Sequence, residues 1–181
     1  MKKSSEIQKF YYLYPQTVAV IGVAKNLMPA AWHTPISTQP PLFGILISPK
    51  RYTYRLISKE SGFTINFLEH RQASLIAQIG STSGRDIDKV KKFKIATYPA
   101  DVVPGLIIKD SYAAFECKKL AMQKYGDHFF VIGKIILIHY KNGILSNDSL
   151  VDENKVVPML YFGQDRYITL DPKTLTIHKR H

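Results

Sequence analysis

The chain has 181 residues, of which 45% are hydrophobic and 12% aromatic, and this composition indicates one folded globular domain rather than a disordered or repetitive chain. No apolar run is long enough for a membrane helix, and the polar N-terminus lacks the apolar stretch of a signal peptide, so we expect a cytoplasmic protein without a membrane partner. The single cysteine, Cys117, excludes an intramolecular disulfide and a multi-cysteine metal site, and we expect it in the core.

Basic residues outnumber acidic residues by 25 to 14, which gives a formal net charge of +11. Such an excess favours anionic partners, namely phosphate-bearing ligands, nucleic acid or an acidic surface. The basic residues are spread along the chain, with small clusters at residues 89–94 and in the Lys179 and Arg180 tail. A solvated basic face accounts for most of them.

Two apolar, β-branched segments near the N-terminus, residues 17–24 and 42–48, predict buried strands. Between them, Pro29 and Pro35 exclude a regular helix and indicate an extended course. The residues that precede the second strand are small, polar and aromatic by turns. This mixture is more typical of a wall that faces a ligand than of a wall that faces a core.

A helix is predicted after the second strand, with Ser48 as its cap, Pro49 at its first helical position and Gly62 at its end. Lys50 and Arg51 then stand at the positive end of the helix dipole, where acidic residues are favoured by about 0.3–1 kcal/mol each. A bound anion would explain both charges, because free backbone N–H groups and the two cations would converge on it. The alternative explanation is that the side chains of Lys50 and Arg51 point into water and bind no anion.

The segment GSTSGRD, residues 80–86, separates two further predicted helices at residues 71–79 and 87–93. Its hydroxyls, glycines and arginine before a helix are the ingredients of a phosphate cradle. They are also ordinary turn residues, and Asp86 is expected to cap the second helix without any ligand.

The remaining segments predict mostly strands. Residues 63–67 form one strand, and the loop at 96–109 ends in a short strand at 106–108. Long strands follow at 113–122 and 129–140, where the interior Gly133 indicates a bend or bulge, and short ones at 158–162 and 166–170. Many short strands with a few interposed helices predict a mainly β, mixed β/α fold, a barrel with helical insertions, as a single domain over residues 1–181 with its core at about 14–168.

Five motifs stand in order along the chain: NLMPAAWHTPISTQPPL (26–42), SPKRYTYRLI (48–57), STSGRDIDKVKKF (81–93), FECK (115–118) and GDHFFVIGKI (126–135). Together they resemble the flavin reductase-like proteins with the FMN-binding split barrel, a family that includes flavoredoxins. The resemblance covers about residues 14–167. It implies a split β-barrel of Greek-key type that binds FMN noncovalently at a homodimer interface.

The resemblance also implies which residues bind the cofactor. Near the flavin ring and ribityl chain it places Asn26, Met28, Ala30, Ala31 and Trp32, and toward the phosphate it places Ser48, Arg51, Tyr52, Thr53, Ser81, Ser83, Arg85 and Lys89. His128 resembles the family histidine near the face where a reductant docks, although a histidine at a strand start is also a common structural residue. Tyr167 either lies near the cofactor or closes the barrel, and closure is the preferred expectation.

The implied function is electron transfer from NAD(P)H or a protein donor to flavin or another acceptor. No GxGxxG motif follows a predicted strand, so a nicotinamide would have to stack directly on the flavin. An FMN-binding electron carrier without turnover is the alternative, and a basic barrel that binds nucleic acid is the third. His139, His178 and His181 have no metal-ligand spacing to one another, so no metal is expected.

Overall fold

A computed structural model describes residues 1–3, 5–147 and 149–178, so the Lys179 and Arg180 cluster and His181 lie outside the described residues. The strands are β1 (Gln16–Thr17), β2 (Ala19–Val23), β3 (Asn26–Ala30), β4 (His33–Thr38), β5 (Pro41–Ile47), β6 (Gly62–Phe67), β7 (Thr97–Pro99), β8 (Leu106–Ile108), β9 (Ala113–Tyr125), β10 (His128–Tyr140), β11 (Leu160–Tyr161) and β12 (Tyr167–Ile168). The α-helices are α1 (Tyr52–Ile57), α2 (Ala73–Ser81) and α3 (Lys89–Lys92), and 3-10 helices cover Ile7–Tyr12, His70–Gln72 and Pro172–Thr174. None of these helices is both long and apolar enough to cross a membrane.

The main sheet has seven antiparallel strands in the order β3-β2-β6-β9-β10-β5-β4. Its two edge strands, β3 and β4, are joined by two residues only, Ala31 and Trp32, so the edges meet at this corner. Sheets twist, and a sheet whose edges meet curls into a barrel that is closed at one corner. The prediction of a mainly β barrel with helical insertions is confirmed.

The curled sheet encloses one apolar core, and α2 covers a second. Inside the curl, Ile45, Phe63, Ile65 and Cys117 have no accessible surface. Burial raises the pKa of Cys117 to about 12, which confirms the expectation of a core residue and makes the thiol unreactive at neutral pH. In the second core, α2 and its neighbours pack on the outer face of β2 and β3, where alternate residues of the strands point away from the first core.

A bulge bends the long β9–β10 ribbon, as the interior Gly133 predicts. The pairing register shifts between Ile132 and Gly133 and again between Ile135 and Leu137. A Cβ at Gly133 would lie 2.7 Å from Cys117 Cβ and 2.9 Å from the Phe63 ring, so the core leaves room only for glycine.

The predicted bounds of the helix after β5 are wrong at both ends. Residues 48–50 form a turn in which Ser48 Oγ accepts from the Lys50 amide at 3.4 Å, and Arg51, with extended backbone, is the residue before α1. The helix ends at Ile57, because Gly62 is already paired with Lys118 in the main sheet. At the start, the local turn at residues 48–50 takes the place of the first helical turn, and at the end the chain joins the main sheet at Gly62.

The predicted cap of α3 is also wrong. Asp88, not Asp86, accepts from the Lys91 amide at 3.1 Å. The amides of Asp86 and Ile87 both donate to the Ser83 carbonyl, so these residues close a turn before the helix begins.

Two small sheets complete the fold. One is the β7–β8 hairpin; the other, which we call the side sheet, has the order β1-β11-β12. In the side sheet, Gln16 pairs with Tyr161, and Tyr161 pairs with Tyr167. The side sheet therefore brings the C-terminal segment next to the strand that leads into β2.

Candidate functional site

A cavity of about 760 Å³ opens beside the corner between β3 and β4. Of the predicted site residues, the cavity is lined by Asn26, Met28, Ala30, Ala31, Trp32, Ser48, Arg51, Tyr52, Thr53, Ser81, Ser83, Lys89 and His128. Arg85 is exposed and is not among the lining residues. Segments that are distant in the sequence thus meet around one space whose volume suits a ligand of nucleotide size.

One wall is apolar and aromatic. Met28 and Ala30 lie two residues apart on β3, and Trp32 follows where the chain turns into β4. The Trp32 ring lies 4.8 Å from the His128 ring, centroid to centroid, at an angle of 40°. On its other side Trp32 contacts Tyr11 of the N-terminal 3-10 helix at 5.6 Å in an edge-to-face arrangement. This wall suits a flat ring system.

The adjacent wall presents unused hydrogen-bond donors. Thr53 Oγ1 accepts from Asn26 Nδ2 at 2.8 Å, and Ser83 Oγ accepts from the Arg85 amide at 3.2 Å, so both hydroxyl protons remain available to donate. Among the described residues, Arg51 forms no ion pair. These groups line the same cavity, and together they form what we call the anion end.

Lys89 contributes a buried charge to the anion end. Its side chain is 5% exposed, and Nζ donates to the carbonyls of Ile79 at 2.8 Å and Leu27 at 3.0 Å. An ammonium group has three protons, so one remains to be donated into the cavity. Burial, and then the charge of Arg51, lower the pKa of Lys89 to about 8. A bound anion would raise the pKa of Lys89 again, because its negative charge favours the protonated amine.

The Asn26 side chain is buried at the edge of the same wall. Its Nδ2 is bonded to Thr53, but its Oδ1 has no hydrogen-bond partner among the described residues. Buried polar atoms are rarely left unpaired, but this oxygen has almost no accessible surface, so a ligand in the cavity does not reach it in this structure. Gly84 lies against this oxygen so closely that a Cβ there would collide with Asn26 Oδ1.

His128 stands at the cavity mouth, where β10 begins. Its Nδ1 is 2.8 Å from Asp127 Oδ1, and this hydrogen bond holds the pKa of the Asp127 carboxyl below its usual range, with a smaller effect from Lys50. The carboxylate accepts from Nδ1 and leaves Nε2 as the free ring nitrogen. The structure thus places His128 beside Trp32, with one nitrogen available to a ligand.

A third wall comes from the side sheet, and sequence reasoning missed most of it. Tyr161, Asp165 and Tyr167 all line the cavity, so Tyr167 belongs to the cavity wall as well as to the sheet. Burial, and then Asp165, raise the pKa of Tyr167 to about 12. No local signal predicts this wall, because strands of two residues carry no hydrophobic pattern of their own.

The turn that carries Asp165 has an unusual backbone. Gly163, Gln164 and Asp165 have φ of 82°, 53° and 53°, which is left-handed for three residues in succession. Left-handed backbone costs about 1–2 kcal/mol per residue that is not glycine. Arg166 stabilises the turn by donating from its amide and its Nε to the Gly163 carbonyl at 3.2 Å and 3.3 Å.

A cluster outside the cavity joins Asp101, Glu116 and His139, whose candidate ligand atoms lie within 4.8 Å of one another. The buried Glu116 carboxylate accepts from the amides of Asp101, Val102 and Val103 and from His139 Nε2. Four donors fill the acceptor sites of a carboxylate. The cluster is therefore explained as an anchor for residues 101–103, and it holds no vacancy for a metal.

Comparison with known proteins agrees with this geometry. The family described as "Flavin reductase like domain" matches residues 11–170. An FMN-binding protein from Thermus thermophilus, with bound 1-cyclohex-2-enone, is 30% identical, with a TM-score of 0.84 and 98% of each chain covered. Flavoredoxin of Desulfovibrio vulgaris (Miyazaki F) is 25% identical, with a TM-score of 0.85 and coverage of 99% of this chain and 97% of that one.

A curated relative with a stated activity, "FMN reductase (NADH) SmoA" of Agrobacterium fabrum, is 29% identical over 110 residues, which are 60% of this chain and 58% of that protein. The family match spans the barrel, the cavity walls and the side sheet. The chain therefore belongs to the flavin reductase-like family.

Proposed function

We propose that this protein is an FMN-dependent oxidoreductase that passes electrons from NAD(P)H, or from a protein donor, to flavin or another acceptor. The observation that carries the proposal is the pairing of the anion end with the aromatic wall in one cavity. A phosphate fits the unused donors of Arg51, Thr53, Ser83 and Lys89. A flat ring fits the wall of Met28, Ala30 and Trp32.

The residues present fit FMN in chemistry as well as in size. FMN supplies the electron transfer itself, while the protein binds the flavin, orients it and decides what reaches it. In the proposed arrangement, Arg51 and Lys89 hold the phosphate. In the same arrangement, backbone amides of residues 30–32 donate to the ring edge and His128 borders the path of an incoming reductant; all of these residues line the cavity.

The relatives support the reductase over the alternatives. The relative from Agrobacterium is described as an NADH-dependent FMN reductase. The structural neighbour from Thermus carries small carbonyl compounds, 1-cyclohex-2-enone and p-hydroxybenzaldehyde, in two structures, so carbonyl compounds are candidate acceptors. Flavoredoxin is the relative that keeps the electron-carrier alternative open. A phosphate bound in the cavity also accounts for the cations that line it, so these cations do not require nucleic acid as a partner.

A homodimer with FMN at its interface, in the cytoplasm, belongs to the same proposal. Exposed apolar residues on β9 and β10 support it, since apolar side chains at the surface often mark a protein interface. They include Leu120, Ile136, Ile138 and Tyr140.

Two measurements test the proposed activity. Purified protein incubated with FMN is expected to retain the visible flavin spectrum after gel filtration. Stopped-flow mixing of this holoprotein with NADH and with NADPH is expected to bleach the spectrum at a catalytically useful rate. Bleaching by neither nucleotide would favour the carrier, and a colourless protein would refute both flavin functions.

Gly84→Ala tests whether the cavity holds the flavin. The new methyl group would push against Asn26 and Tyr52, so we expect FMN affinity to fall by roughly tenfold or more. Gly80→Ala is the matched control, because its Cβ would lie 3.3 Å from Pro29 Cγ and needs only a small adjustment. Fluorescence titration with FMN measures both variants, and equal affinities would contradict the placement.

A further inference from the structure

One carboxylate lines a cavity that is otherwise built for an anion. Among the described lining residues, Asp165 is the one acidic side chain. It belongs to the side sheet and its turn, which contribute none of the cations of the anion end. A carboxylate repels a phosphate, so the ligand portion near Asp165 is not expected to be the phosphate, and a group that donates a hydrogen bond fits there.

Asp165 also has acceptor capacity to spare. Its Oδ1 accepts from the Tyr167 hydroxyl at a long 3.4 Å, and among the described residues it forms no ion pair. An ionised carboxylate offers about four acceptor sites. Most of them remain free at the rim of the cavity.

The turn that places the Asp165 side chain at the cavity has an unfavourable backbone conformation. Gln164 and Asp165 share the same left-handed φ of 53°, and Gly163 before them packs against the Tyr12 ring. Both residues are exposed and share this φ, but Asp165 lines the cavity and Gln164 does not, so Gln164 is a matched control for Asp165.

We propose that Asp165 accepts a hydrogen bond from a sugar hydroxyl of a nucleotide bound in the cavity. The inference rests on the proposed function and names a contact within it. Hydroxyl groups reach the cavity from two sources, the ribityl chain of the flavin and the ribose of a nicotinamide donor. Carboxylates commonly accept from ribose hydroxyls in dinucleotide sites and disfavour a 2′-phosphate there. The rings of Tyr161 and Tyr167 border the same space and offer apolar faces to the sugar carbons.

Asp165→Gly removes the carboxylate and keeps the turn, because glycine adopts left-handed backbone without strain. Gln164→Gly relaxes the same backbone and leaves the carboxylate in place. Each protein, freed of flavin, is titrated with riboflavin and with lumiflavin, which lacks the ribityl chain. Each is then titrated with NAD⁺ and NADP⁺ by calorimetry in the presence of saturating FMN.

If the hydroxyl belongs to the flavin, Asp165→Gly weakens riboflavin binding by about five- to tenfold and leaves lumiflavin unchanged. If the hydroxyl belongs to the nicotinamide donor, the affinities of Asp165→Gly for riboflavin and lumiflavin stay at the wild-type values. The ratio of its affinity for NAD⁺ to its affinity for NADP⁺ then falls by a similar factor. Equal losses for riboflavin and lumiflavin, no change in either arm, or the same change in Gln164→Gly would overturn the proposal. A holoprotein that NADH and NADPH fail to bleach would refute the reductase function and would leave a selective riboflavin effect standing.

Discussion

At the scale of single residues, Lys89 makes the anion end sensitive to pH. Its pKa of about 8 lies below that of an ordinary lysine because the group is buried and stands near Arg51. The ammonium attracts a phosphate only while it is protonated. Binding of a phosphate-bearing flavin therefore favours proton uptake. The contribution of Lys89 to the affinity is complete below its free pKa and is lost as the pH rises from there through the higher pKa of the bound state.

We predict that FMN affinity falls as the pH rises from 7 to 9.5, whereas riboflavin affinity, which involves no phosphate, stays level. Fluorescence titrations at each pH compare the two flavins. Lys91→Met is the control, because Lys91 lies on the same helix but is exposed, and its variant should keep the wild-type profile. Parallel pH profiles for FMN and riboflavin would contradict a phosphate contact of Lys89.

At the scale of elements, Glu116 ties residues 101–103 to β9. Burial alone would raise the pKa of Glu116, but the Asp101 amide, His139 and the next two amides outweigh it and hold the pKa below its usual range. A lowered pKa stabilises the fold above the ordinary pKa of a glutamate, and this stability is lost as the pH falls through the folded value.

Glu116→Gln replaces one acceptor oxygen by an amide that cannot accept, so it leaves buried backbone N–H groups unpaired. We predict a loss of about 1–3 kcal/mol in the free energy of unfolding at pH 7, and a smaller difference from wild type below pH 4. Urea unfolding at both pH values measures it. Glu69→Gln, which breaks only the partly exposed ion pair to Arg71, is expected to lose under about 1 kcal/mol. A loss independent of pH would show that the charge of Glu116 is not involved.

Elements with a local pattern were predictable, and those held by distant partners were not. The runs at residues 42–48 and 129–140 read correctly as strands because alternation and β-branching are local. The sequence around Glu116 does not predict its role, because that role depends on backbone amides that the β7–β8 loop brings close to it. Asp165 likewise reaches the cavity through pairing between β1 and β11, segments from opposite ends of the chain.

The residues of the candidate site could be predicted from the sequence better than their arrangement in space. The motifs identified all its predicted residues except Arg85 as neighbours, but the charge argument assumed that Lys50 and Arg51 belong to the first turn of a helix. The observed helix begins at Tyr52, so Arg51 lies just before the helix and Lys50 belongs to the preceding turn. The prediction of an anion site is now supported mainly by Lys89, which tertiary packing buries. The sequence pattern could only assign this residue to a basic cluster.

At the scale of the whole molecule, no described residues cover the outer face of the β9–β10 ribbon. Residues 129–134 of β10 pair with β5, but the following residues pair with β9 alone, which leaves that edge open. Ile138 and Tyr140 are 52% and 54% exposed there. An open edge beside apolar side chains invites association, and a second copy in a symmetric dimer would cover both.

We predict that Ile138→Lys yields monomers, because a charge on this face would have to be desolvated in the dimer. Sedimentation velocity gives the mass in solution, and flavin titration of the same samples tests the interface. If FMN lies between two copies, the monomeric variant binds FMN more weakly, although Ile138 does not line the cavity. Ile177→Lys, a change at an 85% exposed residue of the C-terminal segment, should alter neither property. A monomeric wild type would refute the dimer, and a monomeric variant with unchanged FMN affinity would confine the flavin site to a single chain.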